Sequence, residues 1–94
     1  MSAGNNLKPI VISLSHWERE LILKYGYPFE ELREQLIAFK NQRRNRLVEF
    51  SKFDLEMTIG DLSRTINHGG ADGLEVALDD VASMLEMELK MAGG

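Results

Sequence analysis

Three short segments of this chain carry the pattern that starts an α-helix, a capping side chain followed three residues later by an acid: "SHWE", "SKFD" and "DGLE". The first side chain accepts a hydrogen bond from the backbone N–H three residues on, and the acid can return one. The pattern predicts helices that begin directly after Ser15, Ser51 and Asp72. It therefore fixes three helix starts in a chain of only 94 residues.

Apolar residues recur at helical spacing after the second and third of these starts. Phe53, Leu55, Met57 and Ile59 alternate like a strand, but the face formed by Leu55, Ile59, Leu62 and Ile66 continues past any plausible strand and predicts a helix over 52–67. The last helix is predicted to run to about residue 90. Its inward residues are Leu74, Leu78, Val81, Leu85 and Leu89.

Two shorter helices are predicted in the first half. The first ends at Tyr25, where Gly26 supplies a left-handed stop, and it places Trp17, Leu21 and Tyr25 on one face. Pro28 is predicted to be the first residue of the second helix, "PFEELREQLIAFKNQ". The apolar stripe of that helix is Phe29, Leu32, Leu36 and Phe39.

The segments "PIVISL" and "RLVEF" favour short strands, so the predicted fold is α+β and predominantly helical, four helices and two strands in the order βααβαα. An all-α four-helix arrangement is the rival. Residues 11–23 match 47–59 with two identities, as any two strand–cap–helix units would, so a duplication is not established. We expect one compact domain over 1–94, with flexible ends at 1–8 and 92–94.

Composition excludes several classes of protein. There is no cysteine, which excludes disulfides, thiolate metal sites and a cysteine nucleophile. No apolar run approaches the roughly 20 residues that span a bilayer, and the first residues lack the pattern of a secretory signal. We therefore expect a cytoplasmic protein.

No motif of catalysis or of cofactor binding is present. His16 and His68 are the only imidazoles, and no HxxxH or HxxE spacing is present. The stretch "TIGDLSRTINHGG" has the look of the first helix of a helix-turn-helix, but the next helix carries five acids against one base and would be repelled by DNA. We expect no enzyme, no metal and no cofactor.

The segment "KNQRRNR" concentrates Lys40, Arg43, Arg44 and Arg46 in an otherwise acidic chain. The favoured interpretation places these cations at the negative end of the second helix, with one of them pairing an acid of the last helix. The alternative is a nucleic-acid-binding accessory protein that uses residues 40–46. Because the helix-end interpretation is favoured, the sequence argues against nucleic acid. Only an arrangement in which these cations face open solvent together would favour the alternative.

A second apolar strip on the last two helices predicts an interface. Val76, Met87 and Met91 lie off the core stripe of the last helix, and Phe53 with Met57 lies opposite that of the third. Residues 71–94 carry six acids against one base, so the strip has an acidic rim. We expect a small interaction or regulatory domain that binds itself, as a dimer, or one protein partner, and does not bind a membrane.

Overall fold

Two short strands and four helices make up the computed structural model, which describes residues 9–93. In chain order they are β1 (Ile10–Leu14), α1 (His16–Tyr25), α2 (Glu30–Ala38), β2 (Arg46–Phe50), α3 (Lys52–Asn67) and α4 (Glu75–Gly93). The predicted α+β, predominantly helical fold is confirmed, and the pairing of the strands excludes the all-helical rival. The expected flexible ends lie outside the described residues, except for 92 and 93 at the end of α4.

The strands form an antiparallel ribbon from Ile10 opposite Phe50 to Leu14 opposite Arg46. The third and fifth residues of each strand are buried, and the second and fourth are exposed. Because successive strand side chains point to opposite faces, one face of the ribbon packs on the helices and the other is open. The helices supply the cover that a two-stranded ribbon needs to be stable.

Residues 36 positions apart occupy equivalent places in this ribbon. Ile12 pairs with Val48 at the centre of the ribbon. The same offset relates the pair at one end of the ribbon, Ile10 with Phe50, to the pair at the other end, Leu14 with Arg46. Ser15 (φ −73°, ψ 167°) and Ser51 (φ −75°, ψ 162°) then cap α1 and α3, each accepting the backbone N–H three residues on. The strands and caps are thus related by a two-fold rotation through the central pair, while α1 has 10 residues and α3 has 16.

Each half of the chain, β1–α1–α2 and β2–α3–α4, packs its second helix on the strand of the other half: α2 packs on β2, and α4 packs on β1. One hydrophobic core joins all six elements, with fully enclosed members on every one of them: Leu14, Ile22, Leu36, Phe50, Leu62 and Leu85 among others. The predicted inward face of α4 is confirmed, with Leu78, Val81 and Leu85 buried and Leu74 and Leu89 packed against them. Each half therefore lacks a complete core without the other.

The prediction that Gly26 ends α1 in a left-handed conformation is wrong. Gly26 has φ −96° and ψ −3°, and the left-handed residue is Tyr27, with φ 46°. Space, not dihedral freedom, requires the glycine: a Cβ there would lie 2.8 Å from the carbonyl oxygen of Ile22 and 3.2 Å from Cγ2 of Thr58. The missing side chain lets α1 pack closely against α3.

The ends of α2 also differ from the prediction. Pro28 precedes the helix, Phe29 is the residue before its first turn, and the helix ends at Ala38 instead of near residue 42. Phe29 is 43% exposed because it lies outside the helix and so off its buried stripe. Trp17, predicted to share one face with Leu21 and Tyr25, is 52% exposed, while those two are buried.

Asp72 does not cap the last helix as predicted. Its backbone is left-handed (φ 54°), whereas a capping residue is extended, and α4 begins only at Glu75. The carboxylate of Asp72 instead accepts a hydrogen bond of 3.0 Å from the hydroxyl of Tyr25. This bond ties the loop between α3 and α4 to the end of α1. Within residues 9–93, no helix combines the length and apolar character needed to cross a membrane.

Candidate functional site

An open groove of about 910 Å³ lies at the end of the ribbon where Ile10 pairs with Phe50. The start of β1, the first turns of α2 and α3, the end of β2 and the last turns of α4 enclose it. We call it the acidic groove. Its exposed apolar surface comes from Val11, Phe53, Met91 and Ala92, and its deeper surface from Leu32, Phe50 and Leu89.

Phe53, at the acidic groove, belongs to an aromatic pair. The rings of Phe29 and Phe53 meet edge to face, with their centroids 6.2 Å apart, and both side chains are about half exposed. Such pairs contribute roughly 0.5–1.5 kcal/mol beyond the area they bury. The contact holds Phe53 in position at the mouth of the groove without burying it.

The rim of the acidic groove carries four carboxylates, Glu31, Glu49, Asp54 and Glu88, against one cation, Lys52. The other polar groups at the rim are already paired, since the Gln35 side chain donates 2.8 Å to the carbonyl of Glu49 and accepts 2.9 Å from its N–H. These two bonds also close the outer edge of β2 to a further strand. The carboxylates are the groups that remain for a partner.

The structure divides the five predicted interface residues. All are exposed, but only Phe53 and Met91 line the acidic groove. Met57 and Met87 lie one helical turn from them on α3 and α4. Val76 is 76% exposed at the other end of α4, about 22 Å away along the helix axis from Met91 at 1.5 Å per residue. The predicted strip is therefore a groove with two neighbouring methionines, and Val76 does not belong to it.

The segment 40–46, which we call the basic loop, is built around a residue that the sequence analysis did not single out. Arg19 on α1 is 3% exposed, and its guanidinium donates to four backbone carbonyls. The acceptors are Leu14 at 2.8 Å, Arg44 at 2.9 Å, Phe39 at 3.3 Å, and Gln42. Arg19 thus joins the end of β1 to the loop between α2 and β2.

The predicted explanation of the basic loop by the end of α2 does not hold. The helix ends at Ala38 with no basic residue in its last turn, and the effect of a helix dipole fades within that turn. Lys40, Arg43 and Arg44 are exposed, while Arg46 stacks on the ring of Phe39 at 4.7 Å. The ion pairs within residues 9–93 are His16–Glu20 and Asp61–Arg64, so no acid of α4 pairs with the loop.

The positive charge of the loop region is therefore not neutralised by the part of the chain that is described. Burial lowers the pKa of Arg19, as does the neighbouring charge of Arg46, and Glu20 partly opposes both. The guanidinium stays charged at neutral pH all the same. Its Nε is enclosed without a hydrogen-bond partner among these residues. Arg19 is held by carbonyl dipoles, not by a counter-ion.

Trp17 lies beside the basic loop. It lines a shallow depression of about 400 Å³ together with Lys24 and Lys40, with Glu20 as the one acid and Leu74 among its apolar walls. An exposed indole among cations is thus placed next to a loop of fixed backbone.

Neither histidine belongs to a cluster of polar side chains that could hold a metal ion, among the residues that the structure describes. His16 pairs with Glu20 at 3.3 Å within one helix turn, and His68 is exposed at the end of α3. Across residues 9–93, no group of three His, Asp or Glu side chains is arranged to hold a metal ion.

Comparison with known proteins finds no matching family model, curated protein or solved structure.

Proposed function

We propose that this protein is a non-enzymatic docking domain whose acidic groove binds a basic segment of a partner protein. The observation that carries the proposal is the groove itself, in which exposed apolar side chains are ringed by four carboxylates and one lysine. A segment with large apolar side chains flanked by Lys or Arg would bury Phe53 and Met91 and pair with the rim. Apolar anchors supply most of the affinity of such a contact, and charges supply the selectivity.

Charge argues for a different protein in the groove rather than a second copy. A symmetric dimer through this surface would bring two sets of the same four carboxylates, Glu31, Glu49, Asp54 and Glu88, into one interface, and juxtaposed like charges cost several kcal/mol. The chain's own basic segment does not suit the groove either, because Arg19 fixes its backbone and Phe39 is stacked under Arg46.

Site-specific photocrosslinking in the native cell tests the proposal. A crosslinking amino acid in place of Phe53 or Met91 is expected to capture one protein, through a segment rich in Lys or Arg. The same group in place of Val76, an equally exposed residue of α4 outside the groove, is the control and is expected to capture nothing in common with them.

Charge reversal separates docking from chance proximity. Glu88→Lys removes a rim carboxylate and is expected to abolish the crosslink, whereas Glu86→Lys, two residues away and outside the groove, leaves it. Capture that is insensitive to Glu88→Lys, or an acidic crosslinked segment, would contradict the proposal. Capture of a second copy of the chain, supported by light scattering that shows a dimer, would replace the proposed partner with self-association.

A further inference from the structure

The basic loop presents its cations on a fixed backbone. Arg19 binds the carbonyls of Phe39, Gln42 and Arg44, so residues 39–44 are held at three points by one buried side chain. The fourth bond, to the carbonyl of Leu14, anchors that side chain to the ribbon. A loop held in this way loses little conformational entropy when a ligand binds its side chains, which favours affinity.

The charge of this region is strongly one-sided. Lys40, Arg43, Arg44 and Arg46 belong to the segment that Arg19 holds, Arg46 is close enough to lower the pKa of Arg19, and Lys24 lies with Lys40 in the depression beside Trp17. Nearby acids are already engaged: Glu18 accepts from the N–H of Ser15, Glu20 pairs with His16, and Asp72 accepts from the hydroxyl of Tyr25. Within a chain of net charge −4, such an excess of cations attracts a polyanion to this one place.

The aromatic group decides which polyanion fits. Trp17 is 52% exposed beside Lys40, and an indole offers a face on which a base can stack. Arginine binds phosphate oxygens through two parallel hydrogen bonds, and Arg43 and Arg44 are exposed to do so. An acidic peptide would use the cations but has no need of an exposed tryptophan among them.

We propose that the basic loop binds single-stranded nucleic acid, with phosphates on Lys40, Arg43 and Arg44 and one base stacked on Trp17. Arg19 acts as a positioning residue that fixes the loop and does not touch the ligand. This surface lies at the end of the ribbon where Leu14 pairs with Arg46, opposite the acidic groove. The proposal is therefore independent of the one made for the groove.

Fluorescence anisotropy with labelled single-stranded RNA and DNA of about 12 nucleotides tests it on the full chain, a length within the range that one small domain covers. Three phosphate contacts to a single strand predict a salt slope of about −2, an affinity loss of about 18-fold between 50 and 200 mM salt. The triple variant Lys40→Gln, Arg43→Gln, Arg44→Gln is expected to lose binding, and because all three side chains are exposed, its fold is expected to persist.

Two controls make the outcome specific. The variant Arg33→Gln, Lys52→Gln, Lys90→Gln removes the same charge from exposed positions elsewhere and is expected to bind as the wild type does. Trp17→Ala is expected to weaken binding by about 10-fold with an unchanged salt slope, since it removes stacking and no phosphate contact. Polyglutamate is expected to compete poorly.

Either of two results overturns the proposal. One is that the two triple variants lose affinity equally, which would show a non-specific charge effect. The other is that polyglutamate binds as well as RNA and Trp17→Ala changes nothing, which would assign the loop to an acidic protein. Phe53→Ser, at the groove, leaves nucleic-acid binding unchanged in either case and so keeps this test separate from that of the docking function.

Discussion

Replacing Arg19 with leucine is expected to destabilise the fold by about 2–4 kcal/mol. The change removes a donor from four backbone carbonyls. That of Leu14 is buried, those of Phe39, Gln42 and Arg44 are partly buried, and that of Phe39 still accepts the N–H of Gln42. A buried carbonyl left without a donor costs about 1–3 kcal/mol, whereas a partly buried one recovers a bond from water and loses roughly 0.5–1 kcal/mol. Together these losses reach about 2.5–6 kcal/mol, which is more than the expected net loss of about 2–4 kcal/mol because the desolvation of the guanidinium has not yet been subtracted.

The opposing effect is the desolvation of the guanidinium, which leucine does not suffer. Replacing a buried charge by an apolar residue is often neutral when its partner is replaced as well, but here the four carbonyls remain. The loss therefore outweighs the gain, although by less than the bonds alone suggest. For a chain of this length the total stability is about 5–14 kcal/mol, so the variant forfeits a large share of it.

Urea unfolding followed by circular dichroism measures this loss, and hydrogen exchange shows where it falls. We expect an unchanged slope against urea, a lower midpoint, and faster exchange at residues 39–45. Arg33→Leu on the exposed side of α2 is the control and is expected to stay within about 0.5 kcal/mol. A loss below about 1 kcal/mol with unchanged exchange in the loop would refute the argument that Arg19 holds it.

Three further variants test the packing of single residues. Gly26→Ala is expected to cost about 1–3 kcal/mol in urea unfolding, because its Cβ would lie 2.8 Å from the carbonyl oxygen of Ile22 and 3.2 Å from Cγ2 of Thr58, and Thr58→Ser, which removes only the second contact, is expected to restore part of that loss. Gly60→Ala, inside α3 with nothing within 4 Å of a new Cβ, is expected instead to stabilise by about 0.5–1 kcal/mol, and equal effects of the two alanines would contradict both assignments. Gln35→Ala is expected to cost about 1–2 kcal/mol and to speed amide exchange at Glu49, whereas slow exchange there would show that the edge of β2 is protected in another way.

Local signals in the sequence predicted what local interactions determine. The helix over 52–67 has the bounds that its cap and its apolar spacing indicated, and the capping box of Ser15 and Glu18 forms with both of its hydrogen bonds. The strands could be predicted for the same reason, since β-branched alternation and the caps that follow them act within a few residues.

The errors arise where distant parts of the chain decide the outcome. Thr58 on α3 leaves little room for a side chain at Gly26. After the end of α2, the carbonyls of Phe39 and Gln42 accept hydrogen bonds from Arg19, which lies on α1. The carboxylate of Asp72 accepts a hydrogen bond from Tyr25 and does not cap the last helix. None of these contacts has a signature within the few residues on either side, so periodicity and capping rules could not reveal them.

The acidic groove could be predicted only in part. Phe53 and Met91 were recognised because they lie off their helices' core stripes, and the acids of α4 indicated a rim. That Phe29 joins Phe53, and that β1 and α2 close the groove, depends on how the two halves exchange helices. Val76 shares the helical face of Met91 but lies far from the groove, because a face alone does not fix position along the helix axis.

The internal two-fold gives a criterion for which residues the fold itself demands. At the offset of 36 that relates the strands and caps, Arg19 corresponds to Leu55, which is fully buried in α3. A leucine is therefore compatible with the ribbon and the caps at that place of the second half, and the arginine of the first half is needed for the four carbonyls that it binds. Arg19 lies on α1, and three of the carbonyls that it binds belong to the segment that joins α2 to β2. The buried guanidinium thus holds the loop of cations in place, as the proposed binding of nucleic acid by that loop requires.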